Sequence, residues 1–279
     1  KIFQVGADRF AVGLTLISFG LFKKVVLADG IARYSNSAFD AVAQGAILNL
    51  EEAWSGALSF TLQIYFDFSG YSDMAIGLGY LFGFRLPQNF ESPYKASSLI
   101  DFWRRWHMTL SGFFRDYIYI PLGGNRKGSL QRSRNIFLIM LAGGIWHGTS
   151  ITFIVWGGAH GICLVINHFW REFRKSFGHS LESEKFLSKS AARIITFLTV
   201  TVLWVFFRAE NLDAALSMIQ SLLGLHTAPD SGFNNIKINE DRLWFLLLIA
   251  WFAPNLREIM SAHYCENKKS NVLKQAPAS

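Results

Sequence analysis

Apolar residues in this chain gather into long runs separated by short polar stretches, at 10–22, 136–146, 151–169, 194–207 and 243–253. A helix needs about 20 apolar residues to cross about 30 Å of hydrocarbon, and several runs approach that length. The run 136–146 is shorter, and reads as a buried helix, a half-helix or a re-entrant segment as readily as a crossing. Residues 9–28 predict a first helix with a basic end, and Gly30, Ser35, Asn36 and Ser37 mark a loop after it. The block from Trp54 to Phe84 is too long for one span, so Ser69 and Gly70 predict a turn between two helices, with Asp67 and Asp73 close by. Ser97 or Ser98 is placed to cap a helix over 98–115. The stretch 135–170 predicts a short hairpin with His147 near its turn, and 191–208 a further helix. Over 211–224, Leu212, Ala215, Leu216, Ile219 and Leu223 form one face of an amphipathic surface helix, and a last apolar segment, 242–254, stops at Pro254. The pattern is all-α and polytopic, a single membrane-embedded domain over 1–279.

Composition strengthens this picture, because 51% of residues are hydrophobic and Phe and Trp number 26 and 9. The net charge of +7 raises the question of a nucleic-acid partner. Its basic residues instead flank the apolar runs: Lys23 and Lys24, Arg126 to Arg134, Arg171 to Lys175, and Lys185 to Arg193. Such placement orients membrane segments, so no nucleic acid is expected. Cys163 and Cys265 give neither a disulfide framework nor zinc spacing, and no metal is expected. The chain opens at Lys1 with no signal-peptide pattern, which leads us to expect further sequence upstream.

From Leu86 to Gly128 the chain is aromatic and charged at once. Asp101, Arg104, Arg105, His107, Arg115 and Asp116 are each costly in lipid unless paired or hydrated, so an interfacial or re-entrant helix lining a polar cavity is expected. His147 lies in AGGIWHGTS, where Gly143, Gly144 and Gly148 allow close backbone approach and Trp146 supplies a wall. A neutral imidazole there can take a proton from a hydroxyl, although a packed core histidine fits the same residues. Arg104 and Arg105 can hold phosphates or a carboxylate, or anchor a helix at the interface beside Trp103 and Trp106. A transporter and a haem electron carrier using His147 and His160 are the competing classes; a zinc hydrolase lacks its H-E-x-x-H motif.

Three segments carry a resemblance: YFDFSGYSDMAIGLGYLFGFRLPQNFESPY, DFWRRWHMTLSGFFRDYIYIPLGGNR and GGIWHGTSITFIVWGGAHG. In that order they resemble the membrane-bound O-acyltransferase superfamily, with the closer match in its alginate O-acetyltransferase branch. The resemblance implies re-entrant or tilted helices around a central tunnel, with several N-terminal helices lying outside this chain. It places the catalytic histidine at His147 and a second polar site residue at His107; beside them Trp103, Arg104, Arg105 and Trp146 are our substrate-binding candidates. It further implies acetyl-CoA as donor, no tightly bound cofactor, and a multi-pass location in the bacterial inner membrane. The implied partners are membrane lipid and periplasmic acetyltransferases that modify an exported polysaccharide. The D-alanyl exporter branch shares the Arg-Trp-His and Trp-His-Gly motifs, but fits Asp73 and Leu86 to Phe90 less well.

The basic clusters at both ends of 135–170 make a topological prediction. Cysteines substituted for Arg132 and Arg174 should both resist a membrane-impermeant thiol reagent in intact spheroplasts and both react once the membrane is opened. Labelling of one alone would mean a single crossing.

Overall fold

In the computed structural model, which describes residues 6–178, 186–226 and 240–260, every regular element among the described residues is helical. The first is α1 (Ala7–Leu21), which runs through a π-helical stretch (Phe22–Ala28) into α2 (Asp29–Ala43). The loop expected at Gly30 to Ser37 is therefore helix. On its inward face Ser35 and Ala38 are buried, and Ala38 packs where Gly56 leaves room on α3 (Leu50–Leu81), while Asn36 is exposed.

The turn expected at Ser69 and Gly70 is also absent, because α3 is one helix of 32 residues, opened by an Asn49–Glu52 capping box. At 1.5 Å per residue it is about 48 Å long, so it tilts within a bilayer or projects from it. Gly70 marks a crossing instead. A Cβ there would come within 2.6 Å of the Gly20 carbonyl oxygen, and one at Gly77 within 2.6 Å of that of Gly13. Glycines seven apart on each helix thus bring α1 and α3 into backbone contact, the small-residue packing that joins helices where lipid offers no hydrophobic drive. The π stretch above this contact carries Lys23, paired with Asp73 at 2.6 Å, and Lys24, paired with Asp67. Both aspartates are counter-ions in mid-helix rather than flanks of a break.

Two short helices follow, α4 (Leu99–Arg105) and α5 (Met108–Phe114), and then the hairpin α6 (Gly128–His147) and α7 (Ile151–Ser176). Ser150 caps α7, Arg132 pairs with Glu172 at the far end, and Gly144 and Gly157 let the two backbones touch near the apex. Next come α8 (Phe186–Arg208), α9 (Leu212–Leu222), α10 (Glu240–Phe252) and α11 (Leu256–Ile259). The buried face of α9 is Ala214, Ala215, Met218, Ser221 and Leu222, while Leu216 and Leu223 are exposed. It is rotated from the expected stripe because α9 docks on α3, with Trp54 Nε1 donating to the Leu222 carbonyl at 3.1 Å. Ala7–Ala43, Ile151–Ser176 and Leu187–Arg208 are long and apolar enough to cross a bilayer. Cys265 and Lys185 lie outside the described residues.

The α6–α7 contact is testable because its two neighbouring glycines differ. A side chain at Gly157 meets the backbone of α6, whereas at Gly158 the nearest atom is a Phe137 ring carbon 4.0 Å away. Gly157→Leu should cost about 1–3 kcal/mol or more by overpacking and lower the melting midpoint in detergent; Gly158→Leu should cost much less. Equal midpoints would mean that the contact does not hold the hairpin.

Candidate active site

The single helix expected over 98–115 is broken at Trp106 and His107, although Ser98 does cap its start, accepting from Asp101 N at 3.1 Å. His107 adopts a left-handed backbone, φ 42°. For a residue with a Cβ that conformation costs roughly 1–2 kcal/mol, so something must hold it. The holder is the extended segment around Asn89. The Asn89 carbonyl accepts from Met108 N at 3.0 Å, and its side-chain oxygen accepts from the Thr109 hydroxyl at 2.6 Å and from Thr109 N at 3.3 Å. Glu91 N donates to the Arg105 carbonyl at 3.0 Å. These bonds replace those of a continuous helix and kink the chain at His107.

The kink turns the His107 ring into a chamber of about 280 Å³ walled mainly by aromatic and aliphatic side chains. The Phe68 ring lies 4.7 Å from it, edge to face. His107 Nδ1 is buried and has no hydrogen-bond partner among the described residues. His147, the last residue of α6, enters the same chamber from the hairpin apex. It sits edge-on to Trp156 at 5.3 Å and to Phe207 at 5.0 Å. The other polar groups in the wall are Arg104, Ser111 and His168. On α7, Trp156, Leu164 and His168 follow one face, so from the His147 end to the His168 end the chamber follows about 18 Å of helix.

Of the residues singled out from sequence, His147, His107, Trp103 and Arg104 line this chamber. Arg105 and Trp146 do not. Arg105 donates to Asp101 at 2.9 Å and to the Glu91 carbonyl at 3.3 Å, which ties it to α4 and the Asn89 segment. Trp146 is 60% exposed and touches the His147 ring from outside, at 5.0 Å. His160 is fully buried: its Nδ1 accepts from Trp103 Nε1 at 3.3 Å, and the rings of Trp103 and Trp156 each lie 5.1 Å away. No room is left there for a macrocycle, so His160 supports the chamber wall rather than a haem. Arg115 and Asp116 pair at 2.8 Å, and the guanidinium holds that carboxyl below its ordinary range. Sequence reasoning missed Asn89, Ser111, Trp204, Phe207 and the place of His168. The four-residue spacing of Trp156, His160, Leu164 and His168 was the available signal for the α7 face.

Two imidazoles in a largely apolar chamber suit proton transfer between reactants, with one ring taking a proton and the other hydrogen bonding to a polar group. Comparison with known proteins adds the following. The model of the membrane-bound O-acyltransferase (MBOAT) family matches residues 3–207. The chain is 48% identical over 218 residues to the peptidoglycan O-acetyltransferase of Helicobacter pylori, covering 78% of this chain and 40% of that protein. It is 42% identical over 243 residues to the probable alginate O-acetylase AlgI of Pseudomonas aeruginosa, covering 86% of this chain and 44% of that protein. To the teichoic acid D-alanyltransferase of Bacillus subtilis it is 28% identical over 179 residues, 61% of this chain and 44% of that protein. The chain thus spans less than half the length of these curated relatives.

The kink makes a prediction about stability. Asn89→Ala removes the acceptor for two Thr109 bonds and should cost about 1–3 kcal/mol, seen as a lower melting midpoint in detergent. His107→Asn, which tolerates the left-handed region, should stay within about 1 kcal/mol of the parent. A large loss with His107→Asn would make the histidine a packing element of the kink.

Proposed function

Because this chain belongs to the membrane-bound O-acyltransferase family, we propose that the complete protein is a membrane O-acetyltransferase that moves acetyl groups towards an exported polysaccharide. The observation that carries this reading is that His107 and His147, forty positions apart in sequence, face one chamber. The identities of 42–48% to an alginate O-acetylase and a peptidoglycan O-acetyltransferase favour acetyl over D-alanyl transfer, where identities are 28–34%. Both favoured relatives are named for acetylation of a glycan, so the acceptor is a hydroxyl on the route to an exported polysaccharide such as alginate. Periplasmic acetyltransferases complete that route as partners, and the protein is a multi-pass resident of the bacterial inner membrane.

In the proposed reaction the donor is acetyl-CoA, entering from the cytoplasmic side. His147 takes the proton of the acceptor hydroxyl as its oxygen attacks the thioester carbonyl. A C–O bond forms, the C–S bond breaks, and the imidazolium returns the proton to the departing thiolate. His107, through its unpartnered Nδ1 when protonated, donates to the carbonyl oxygen as negative charge develops there. Arg104 lies near the His168 end, remote from His147, where its guanidinium can hold donor phosphates while a pantetheine-length arm reaches the chemistry. The wall around the two histidines is apolar, which excludes water that would hydrolyse the thioester.

The test is substitution in the complete protein with acetylated product as the readout. Loss of general-base help is worth about 10²–10⁴ in rate, roughly 3–5.5 kcal/mol of barrier, so His147→Ala and His147→Gln should both abolish detectable product at normal expression. His107→Gln should retain more activity, because an amide can still donate a hydrogen bond. Arg104→Ala should raise KM for acetyl-CoA by the equivalent of about 1.5–3 kcal/mol, whereas Arg105→Ala should lower stability and leave KM unchanged. Robust acetylation by well-expressed His147→Gln would remove the general base from this mechanism.

A further inference from the structure

A second cavity of about 550 Å³ lies between α7, α8 and the start of α4, separated from the histidine chamber by Arg104, whose side chain lines both. Its polar part is basic: Arg171 and Arg174 on α7 stand with Arg104 beside the side chains of Asn167, Ser97 and Ser98. Asp101 is the only carboxylate among the described lining residues, and it is paired with Arg105. Arg171 makes no ion pair among the described residues. Arg171 and Arg174 stand at the end of the apolar run of α7, the depth at which lipid phosphates sit.

The rest of the cavity has a different character. Ile166 of α7 and Ile195 of α8 line it, and both also open outward, being 60% and 64% exposed. The hydroxyls of Thr196 and Thr199 are engaged with their own helix, donating to the carbonyls of Ala192 and Ile195. Trp170, half in the lining and half outside, stands one residue before Arg171, as interfacial tryptophans do. The two helices concerned are both candidate spans. The cavity is therefore cationic at one end and aliphatic at the other, and its aliphatic end continues onto surface that faces lipid.

We propose that this second cavity is a binding site for an anionic phospholipid, the arginines holding its phosphate headgroup and its acyl chains leaving between the outward faces of α7 and α8. A basic pocket between membrane helices matches that headgroup by charge, and the aliphatic end matches its chains. A nucleotide fits less well, since its base would lie against isoleucines that make no hydrogen bonds. His107 and His147 take no part in the site, which shares only Arg104 with the acyl-transfer reading.

The test uses the complete protein purified in detergent. Phospholipid retained after gel filtration is quantified by mass spectrometry, and melting midpoints are measured with added phosphatidylglycerol or phosphatidylcholine. The parent should retain phosphatidylglycerol preferentially and be stabilised by it alone. Arg171→Gln with Arg174→Gln should weaken that retention about fivefold per arginine removed. Thr199→Phe, which fills the cavity without changing charge, should weaken it too and decides the matter if the double variant misfolds. Arg126→Gln with Lys127→Gln, exposed residues outside the cavity, should leave retention unchanged. Unchanged retention in Thr199→Phe, or equal loss in the Arg126 and Lys127 control, overturns the proposal. So does retention of coenzyme A that Arg171→Gln with Arg174→Gln abolishes, which would assign the cavity to a nucleotide.

Discussion

The chamber depends on how closely α6 and α7 approach each other. Gly144 and Gly157 place backbone against backbone near the hairpin apex, a separation that no residue with a side chain could permit. That distance brings His147, at the very end of α6, against Trp156 on the first turns of α7. Trp204 and Phe207 of α8 then close over the same tryptophan, with ring separations of 5.7 and 5.1 Å. Widening the hairpin by one methyl group would move the imidazole relative to every ring that encloses it.

Away from the chamber, several charges are satisfied internally. Lys23 with Asp73, Lys24 with Asp67 and Arg132 with Glu172 tie elements together across the fold. His107 Nδ1, His160 Nε2 and Trp156 Nε1 are buried without partners among the described residues. Each unsatisfied polar atom costs on the order of 1–3 kcal/mol, a cost that a bound reactant or water would relieve at His107 and Trp156, which line the chamber.

Much of this architecture could be read from the chain. The hairpin over 135–170, the Ser98 cap and the end of the last apolar helix ahead of Pro254 follow from local pattern. Glycine was the ambiguous letter: Gly70 reads alike as a turn or as a crossing point, and only α1, fifty residues earlier, makes it a crossing. The His107 kink was hidden for a similar reason, because its cause, Asn89, lies eighteen residues upstream. By contrast, the different fates of Arg104 and Arg105 were legible, since Asp101 stands four residues before Arg105 and none of the same charge stands so before Arg104. The α9 face was misread because its docking partner, Trp54, is remote in sequence.

Arg104 is a wall common to two compartments, and a shared wall imposes thermodynamic reciprocity. A molecule that draws the guanidinium into one cavity withdraws it from the other, altering the volume and charge found by the second occupant. Whatever factor the first ligand applies to the affinity of the second, the second must apply to the first. Membrane composition and donor supply would then act on this protein as linked variables, through the position of one side chain.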